Sequence, residues 1–243
     1  MLITLELDSS SIRKKEGYEH NRVYVYRVLK ENIMQLKLKP GEKISELEIK
    51  NIFNISRSLI REAIVRLVDE FLINVIPQKG TYVSLLDPNL IEDSLFMRLS
   101  IEKEVMKIVC SKFFNSEVLI NELEIIYKEQ KKIVDNLNND NINNFLILNE
   151  KFHSTIFKNI DKIRIWEEIY KFGTHYLRFH ILLSLSKINF DFAMKQHINI
   201  INAIKNKDYN IAMQMEDNLL ENYKVKLKKV YNLYPEYFKY PIS

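Results

Sequence analysis

The chain has 243 residues, enough for two domains of about 100 to 150 residues each or for one larger domain. Only four glycines and five prolines occur beside abundant leucine, isoleucine, lysine and asparagine, which favours a mainly helical protein and argues against a large all-β fold. The formal net charge is +4, and residues 21–86 carry eleven lysines and arginines against seven acidic residues, so attraction to a polyanion is expected in that segment.

The single cysteine, Cys110, excludes an internal disulfide framework, and its place in an apolar helical stretch predicts a buried side chain. No uninterrupted apolar run reaches the roughly 18 residues of a membrane span. The first residues carry acidic side chains where a signal peptide has basic ones. We therefore expect a soluble cytoplasmic protein that binds no membrane.

The N-terminal part of the chain predicts an arm followed by a helix. Residues 1–20 lack sustained periodicity and predict an N-terminal arm. Residues 21–38 repeat apolar side chains at helical spacing and predict a first helix, which Pro40-Gly41 would stop.

Residues 42–71 predict two short helices joined by a tight turn. Ser45 and Glu48 have the spacing of a capping box at the start of the first of these helices, and Ser56 can cap the second. The second helix has a predicted buried stripe of apolar residues, formed by Ile60, Ala63, Ile64, Leu67, Val68 and Phe71.

Polar side chains at the start of this second helix lie off the apolar stripe. They are Arg57, Ser58 and Arg61, at the end that a recognition helix inserts into the major groove of DNA. An amphipathic helical hairpin with solvated arginines would show the same pattern. After it, residues 72–76 and 81–85 are β-rich runs that flank Pro77-Gln78-Lys79-Gly80 and predict a two-stranded hairpin. Three helices and a hairpin predict a winged helix-turn-helix over residues 21–86.

The remainder of the chain predicts helices only. Asp87-Pro88 offers an N-cap followed by a proline at the first helical position, so a second, all-helical domain is predicted over residues 87–232. Its helices are predicted near residues 88–113, 116–137, 140–159, 163–186, 190–206 and 208–232. The Asn-rich run 136–144 predicts an interhelical turn. Residues 233–243 are aromatic, contain two prolines and predict a tail that lies extended or frays.

The order and spacing of these residues resemble the GntR family of bacterial transcription regulators, in the FadR-like branch whose all-helical C-terminal effector domain is called FCD. The resemblance covers residues 21–230, and its most specific parts are LKPGEKISELEIKNIFNISRSLIREAIVRL and the wing residues QKGTYV. It implies a mainly α fold, with an N-terminal winged helix-turn-helix and a C-terminal all-α bundle. It also implies a repressor or activator, not an enzyme, that binds an inverted-repeat operator in double-stranded DNA as a homodimer.

The resemblance further implies which residues contact DNA. They are Ser56, Arg57, Ser58 and Arg61 in the recognition helix and Lys79 and Gly80 at the tip of the wing. Arginine can make two parallel hydrogen bonds to guanine, and serine hydroxyls suit phosphates or base edges. Two positions depart from the family pattern, so the operator sequence does not transfer. Leu47 stands where several relatives carry a DNA-contacting arginine, and Phe71 replaces the glycine that usually ends the recognition helix.

In the second half, Arg98 and Glu102 resemble the R-x-x-x-E signature of the first helix of the effector domain. Arginine there could clamp a carboxylate bidentately, or the two residues could form a structural ion pair, since they are one helical turn apart. The resemblance implies a small-molecule effector, preferably a carboxylate, bound by Arg98, Asn149, His153 and His197.

Two motifs resemble those that supply metal ligands in many relatives, NEKFHSTIF and QHINIINAIKNKD. His153 and His197 fit, but Asn149 occupies the aspartate position and Leu219 falls where the third histidine is expected. Any divalent metal, zinc or nickel, at His153, His197 and Asn149 would therefore bind weakly.

Two alternatives remain open from the sequence. One is a regulator of the same branch that binds a long acyl thioester in a metal-free pocket, which the apolar residues 163–186 would permit. The other is a helical metalloenzyme. Its ligands would come from Asn149, His153, His175, His180 and His197, with Glu150 and Glu168 as carboxylates. No paired Glu-x-x-His motifs of a di-metal bundle occur, which argues against the enzyme.

Overall fold

The structure of the protein, a computed structural model, describes residues 13–136, 141–186 and 190–242, without the side chains of residues 212–221. Residues 1–12 of the predicted arm, residues 137–140 of the predicted Asn-rich turn and the side chain of Leu219 lie outside the described residues.

The secondary structure of the described residues is mainly helical. The helices are α1 (Asn21–Met34), α2 (Glu46–Phe53), α3 (Arg57–Asp69), α4 (Pro88–Val109), α5 (Glu117–Asp135), α6 (Ile142–Lys158), α7 (Ile163–Phe172), α8 (Thr174–Leu185), α9 (Phe190–Asn206) and α10 (Tyr209–Leu233). The strands are β1 (Lys43–Ile44), β2 (Ile73–Ile76) and β3 (Gly80–Val83). None of the described helices combines the length and the apolar character needed to span a membrane.

The chain divides into two compact units. The first unit combines the stretch ending at Ile91 with Phe172–Phe179 and with the stretch that begins at Tyr231. The second unit combines Glu92–Lys171 with His180–Val230. The domain ranges predicted from the sequence remain a prediction.

The first unit contains a winged helix-turn-helix, as the sequence predicts. Helices α1, α2 and α3 pack around a common core, whose members include Val25, Leu29, Ile33, Ile49, Ile60, Leu67 and Leu72. The sheet has the order β1-β3-β2, and both strand pairs are antiparallel. The predicted hairpin is therefore confirmed, and β1 is an additional strand. Two residues are too few to show the alternation by which strands are recognised in a sequence.

The buried stripe of α3 is shorter than predicted. Ile60, Ala63, Ile64 and Leu67 are buried, but Val68 and Phe71 are 36% and 51% exposed, so the prediction was wrong for these two. Val68 lies at the edge of the stripe. Phe71 follows the end of the helix and has a left-handed backbone, with a φ of 57°, so its side chain no longer follows the helical period.

The C-terminal tail packs within the first unit. The backbone N–H of Leu86 donates to the carbonyl oxygen of Tyr237 at 2.8 Å, and that of Lys239 donates to the carbonyl oxygen of Leu86 at 2.9 Å. These hydrogen bonds form a parallel bridge between Leu86 and the buried Phe238. The ammonium of Lys239 also lies 2.9 Å from a carboxylate oxygen of Asp87. The tail forms a short 3-10 helix at Pro235–Tyr237 and is extended at Phe238, so the prediction of an extended tail holds for this part only.

The second unit is all-helical in its described residues, which completes the predicted fold class. Its main core includes Val105, Val109, Cys110, Leu119, Leu123, Phe152, Phe157, Trp166 and Ile201. The burial of Cys110 confirms the prediction from the sequence.

The single helix predicted over residues 163–186 is wrong, because Gly173 divides it into α7 and α8. Glycine costs about 1 kcal/mol relative to alanine inside a helix, so a break at this position is inexpensive. The carbonyl oxygen of Gly173 accepts the first hydrogen bond of α8, from the backbone N–H of Leu177 at 2.8 Å. The beginning of α8 then belongs to the first unit.

Candidate nucleic-acid interface and effector site

The start of α3 is polar and exposed. The hydroxyl of Ser45 accepts a hydrogen bond from the backbone N–H of Glu48 at 3.3 Å, which confirms the predicted cap of α2. Ser56 occupies the N-cap position of α3, but its hydroxyl pairs with that of Ser58 at 2.9 Å and caps no backbone group. The predicted side-chain cap at Ser56 is therefore wrong, and both hydroxyls remain on the exposed surface.

The two arginines predicted to contact DNA are also exposed. Arg57 begins α3, and Arg61 lies one turn further along the same face. The Nε atom of Arg61 donates to a carboxylate oxygen of Glu46 at 3.2 Å, while its side chain remains 67% exposed. Such exposed ion pairs contribute about 1 kcal/mol or less to stability. Arg61 can therefore exchange Glu46 for a phosphate or a base edge at little cost.

The wing is a tight turn between β2 and β3. The backbone N–H of Lys79 donates to the carbonyl oxygen of Ile76 at 3.0 Å, and the Tyr82 hydroxyl donates to the carbonyl oxygen of Lys79 at 3.1 Å. These bonds fix the turn while the side chain of Lys79 is exposed. Gly80 has a φ of 129°, a conformation that side chains rarely adopt, so glycine is needed there.

Lys43 is a wing residue that the sequence did not reveal. Strand β1 pairs Lys43 with Tyr82 of β3. A Cβ atom placed on Gly80 would lie 3.1 Å from Cε and 3.8 Å from Nζ of Lys43, so this ammonium lies beside the wing turn. The signal is absent from the sequence because β1 is too short to be predicted. The structure thus brings a second exposed lysine near Lys79.

The second unit contains a cluster around Glu102. The Nε atom of Arg98 donates to Oε1 of Glu102 at 3.0 Å, and Nδ1 of His153 lies 3.1 Å from the same oxygen. Burial alone would raise the pKa of Glu102, but Arg98 and His153 lower it to about 2. Glu102 is therefore an anion that engages both residues. Of the two interpretations of Arg98 that the sequence left open, the ion pair is present.

His197 is buried in the same unit. Its Nδ1 lies 2.8 Å from Oε1 of Gln130, a fully buried residue of α5. Its ring stacks on that of Phe152 with centroids 3.9 Å apart, and the centroid of the His153 ring is 5.3 Å away. Burial lowers the pKa of His197 well below its ordinary value, so the ring is neutral at physiological pH. The structure thus brings His153 and His197 together.

Aromatic side chains border this cluster. The indole N–H of Trp166 donates to a carboxylate oxygen of Glu150 at 2.9 Å. The Trp166 ring stacks on His153 with centroids 5.7 Å apart, and the guanidinium of Arg98 lies 5.3 Å from the ring centroid. Neither Gln130 nor Trp166 was predicted as a site residue, because an isolated glutamine or tryptophan in a helix carries no motif.

The described residues do not fit a metal site of the usual composition. Structural and catalytic zinc sites use three or four protein ligands. Among the side chains that the structure describes, no three histidines, cysteines, aspartates or glutamates converge on one point. His153 and His197 supply two imidazoles, and the half-buried Asn149, four residues before His153, supplies only a neutral amide.

Of the other two histidines of the suggested metalloenzyme, His175 has hydrogen-bond partners elsewhere, whereas the charges of Arg98 and His153 act on His180. His175 belongs to the first unit, where its Nε2–H donates to the carbonyl oxygen of Phe71 at 2.9 Å and its Nδ1 accepts from the backbone N–H of Asp87 at 3.0 Å. Burial lowers the pKa of both His175 and His180 to about 3. With both nitrogens of His175 occupied, that ring is not available as a metal ligand.

Comparison with known proteins gives two family matches along the chain. Residues 21–83 match the family described as bacterial regulatory proteins, gntR family, and residues 93–222 match the FCD domain. The HTH-type transcriptional repressor RspR of Escherichia coli K12 is 26% identical over 184 residues, which cover 76% of this chain and 78% of that protein. The Uxu operon regulator of Haemophilus influenzae is 25% identical over 238 residues, which cover 90% of this chain and 87% of that protein.

Solved structures share the fold. A transcriptional regulator of the GntR type from Rhodococcus sp. RHA1 has a TM-score of 0.66 at 16% identity, covering 87% of this chain and 97% of its own. Escherichia coli McbR/YncC has a TM-score of 0.62 at 18% identity, covering 89% of this chain and 99% of its own. The relatives named above by sequence are transcription regulators, which favours neither the metalloenzyme nor the acyl-thioester alternative.

Proposed function

Because the chain belongs to the GntR family of bacterial transcription regulators and carries an FCD domain, we propose that it binds an inverted-repeat operator as a homodimer and responds to a small carboxylate. The observation that carries this proposal is the division of α3 into two faces. Ile60 and Ile64 are buried beneath the helix, while Arg57 and Arg61 are exposed at its start.

The proposed contacts follow from the chemistry of these side chains. Arg57 and Arg61 read base edges in the major groove, where a guanidinium can donate two parallel hydrogen bonds to guanine. Ser56 and Ser58 donate to phosphates or to neighbouring base edges. At the wing, Lys79 and the backbone of Gly80 approach the minor groove.

The proposed dimer follows from the size of the interface. A single small DNA-binding module buries only about 600 to 1,000 Å², whereas tight and specific binding usually pairs two modules on half-sites about one helical turn apart. Phe96 and Phe113, which belong to the second unit, are 72% and 100% exposed and are available for contact with a second copy.

The proposed effector binds in the helical unit at Arg98, Asn149, His153 and His197. It shifts the chain between states of different operator affinity, and the shift is limited by the difference in effector affinity for those states. Since the relative RspR is named a repressor, we propose that this chain also represses and that the effector releases it from DNA.

The test is a binding experiment with DNA from the region flanking the gene. Fluorescence anisotropy is measured with that fragment and with shuffled DNA of equal length, at several salt concentrations. We expect specific binding that weakens steeply with salt, and a loss of about 1 to 3 kcal/mol for Arg57→Ala or Arg61→Ala. Light scattering should give two chains per operator. Equal binding of both fragments by a folded parent chain, or a single chain on a symmetric site, would contradict the proposal.

A further inference from the structure

Among the described residues, only one of the two polar side-chain atoms of Gln130 has a hydrogen-bond partner. The side chain lies in α5 with no exposed surface, and its Oε1 pairs with Nδ1 of His197 at 2.8 Å. Its Nε2 is buried and has no hydrogen-bond partner among the described residues. Buried polar groups in folded proteins are nearly always paired, so an unpaired amide nitrogen indicates an acceptor that the described part of the chain does not supply.

The position of this amide connects it with the proposed effector site. His197 contacts both residues, since its Nδ1 pairs with Gln130 and its ring centroid lies 5.3 Å from that of His153. Glu102 holds His153 and Arg98, so its oxygen is already an acceptor for two donors. The amide nitrogen of Gln130 is therefore a donor beside this cluster that has no acceptor in the part of the chain that the structure describes.

We propose that Gln130 is an effector-binding residue, and that its amide nitrogen donates a hydrogen bond to a carboxylate oxygen of the effector. This inference rests on the proposed function, because it assumes that the helical unit binds a small carboxylate. Gln130 also orients His197 through its other amide atom. A ligand oxygen at this position satisfies the amide without a metal ion, in agreement with the lack of a metal-binding group of three residues among the described side chains.

Substitutions of Gln130 can distinguish the loss of its amide N–H donor from the loss of its hydrogen bond to His197. Gln130→Glu keeps an oxygen that can accept from His197, removes the amide donor and places negative charge against a carboxylate ligand. Gln130→Met removes both hydrogen-bonding atoms with little change of volume, and serves if the glutamate variant fails to fold. Gln196→Glu is the matched control, because the same chemical change occurs on α9 one residue before His197, at a half-buried side chain.

The measurement is the thermal unfolding midpoint of the full chain with acetate, succinate or citrate at about 10 mM, against chloride at the same ionic strength and against the neutral amide of each acid. A ligand that binds only the folded state raises the midpoint. We expect at least one carboxylate to stabilise the parent and Gln196→Glu more than its amide does. We expect at least a tenfold weaker apparent affinity in Gln130→Glu, and weaker binding in Gln130→Met.

Equal stabilisation of the parent and both Gln130 variants would overturn the inference, as would a parent chain that none of the three acids stabilises. Greater stabilisation by the neutral amides would also overturn it, because the ligand would then not be a carboxylate. Operator binding is measured on the same samples. A parent that binds operator specifically but that no carboxylate stabilises contradicts both the role of Gln130 and the proposed carboxylate effector. Carboxylates that stabilise the parent and both Gln130 variants equally contradict the role of Gln130 alone, and a folded parent that binds no operator contradicts the proposed DNA binding.

Discussion

Arg178 of α8 donates from Nη1 to the carbonyl oxygen of Ser84 at 2.8 Å, and from Nη2 to the Ser84 hydroxyl at 2.9 Å. The guanidinium is fully buried, and within the described residues its Nε has no partner. Burial lowers the pKa of Arg178 to about 9, which leaves the group charged at neutral pH. In the first unit, the buried positive charge of Arg178 is therefore bound by two neutral oxygens of Ser84, the residue that follows β3.

Arg178→Ala should lower the free energy of unfolding by about 3 kcal/mol, because it creates a cavity and leaves the carbonyl oxygen of Ser84 without its donor. Arg178→Met should recover part of this loss, since methionine fills much of the space and brings no charge that must be desolvated. Urea denaturation followed by circular dichroism measures both effects. An alanine variant as stable as the parent would show that the buried guanidinium contributes nothing to the fold.

His175 predicts an acid sensitivity of the same unit. Burial, and then the positive charge of Arg178, lower its pKa from 6.5 to about 3. Below pH 6.5 the unfolded state therefore binds more protons than the folded state, so the stability is fully present above that pH and falls as the pH falls towards 3. We expect His175 to lower the free energy of unfolding by about 2 kcal/mol between pH 7 and pH 5.

The control for this prediction is His175→Gln, which keeps a donor for the carbonyl oxygen of Phe71 but has no group that titrates. Urea denaturation at pH 7 and pH 5 should show a lower stability for the variant at pH 7 and a smaller acid-induced loss. If parent and variant lose the same free energy between these pH values, His175 is not the source of the acid sensitivity.

Local periodicity explains what could be predicted from the sequence. The apolar residues of α1, from Val25 to Ile33, are buried because they recur at the spacing of one helical face. The predicted buried stripe of α3 is correct up to Leu67 for the same reason. The exposed residues at the start of α3 are those that lie off this stripe. Features that arise within a few turns of chain are thus visible in the pattern.

Contacts between distant parts of the chain could not be predicted in this way. His175 and Phe71 are 104 residues apart, and nothing in either segment indicates that a histidine of one hydrogen-bonds the backbone of the other. The position of Lys43 beside Gly80 likewise depends on a two-residue strand. Whether the amide nitrogen of Gln130 meets an acceptor depends on the side chains packed around it, and among the described residues it meets none, which no sequence pattern indicates.

The ion pair between Arg61 and Glu46 predicts a variant with stronger operator binding. A carboxylate oxygen of Glu46 lies 3.2 Å from Nε of Arg61, and this carboxylate adds a negative charge to a face that is proposed to meet phosphates. Glu46→Gln should therefore raise operator affinity several-fold at low salt, with a smaller gain at high salt because the charge is screened. Operator affinity is measured by fluorescence anisotropy at low and high salt, with Glu168→Gln in the second unit as the control. Unchanged or weaker binding would mean that Glu46 orients Arg61 productively.

The two wing lysines should act mainly through charge. Lys43→Ala and Lys79→Ala are each expected to weaken binding to operator and to shuffled DNA alike, and to reduce the slope of log affinity against log salt by about 1, because one phosphate contact is lost. Lys131→Ala, at an exposed position of α5, is the control with the same loss of charge. A Lys43 variant with the parent's salt slope would remove this residue from the interface.

Phe71 supplies a stability prediction that is independent of DNA binding. Its φ of 57° is a left-handed conformation that costs a residue with a Cβ atom about 1 to 2 kcal/mol, and its half-exposed side chain gives little packing in return. Glycine removes that strain but loses about 0.5 to 1 kcal/mol through the greater freedom of the unfolded chain, so Phe71→Gly should stabilise the fold by about 0.5 to 1 kcal/mol.

Phe71→Asn should also be tolerated, since asparagine enters the left-handed region readily, whereas Phe71→Val should destabilise because a β-branched side chain does not. The carbonyl oxygen of Phe71, which accepts hydrogen bonds from Ser84 and His175, is retained in all three variants. Urea denaturation gives the order of stability, and operator affinity should stay at the level of the parent. If glycine and asparagine both destabilise the chain, the Phe71 side chain contributes more through its contacts than its backbone conformation costs.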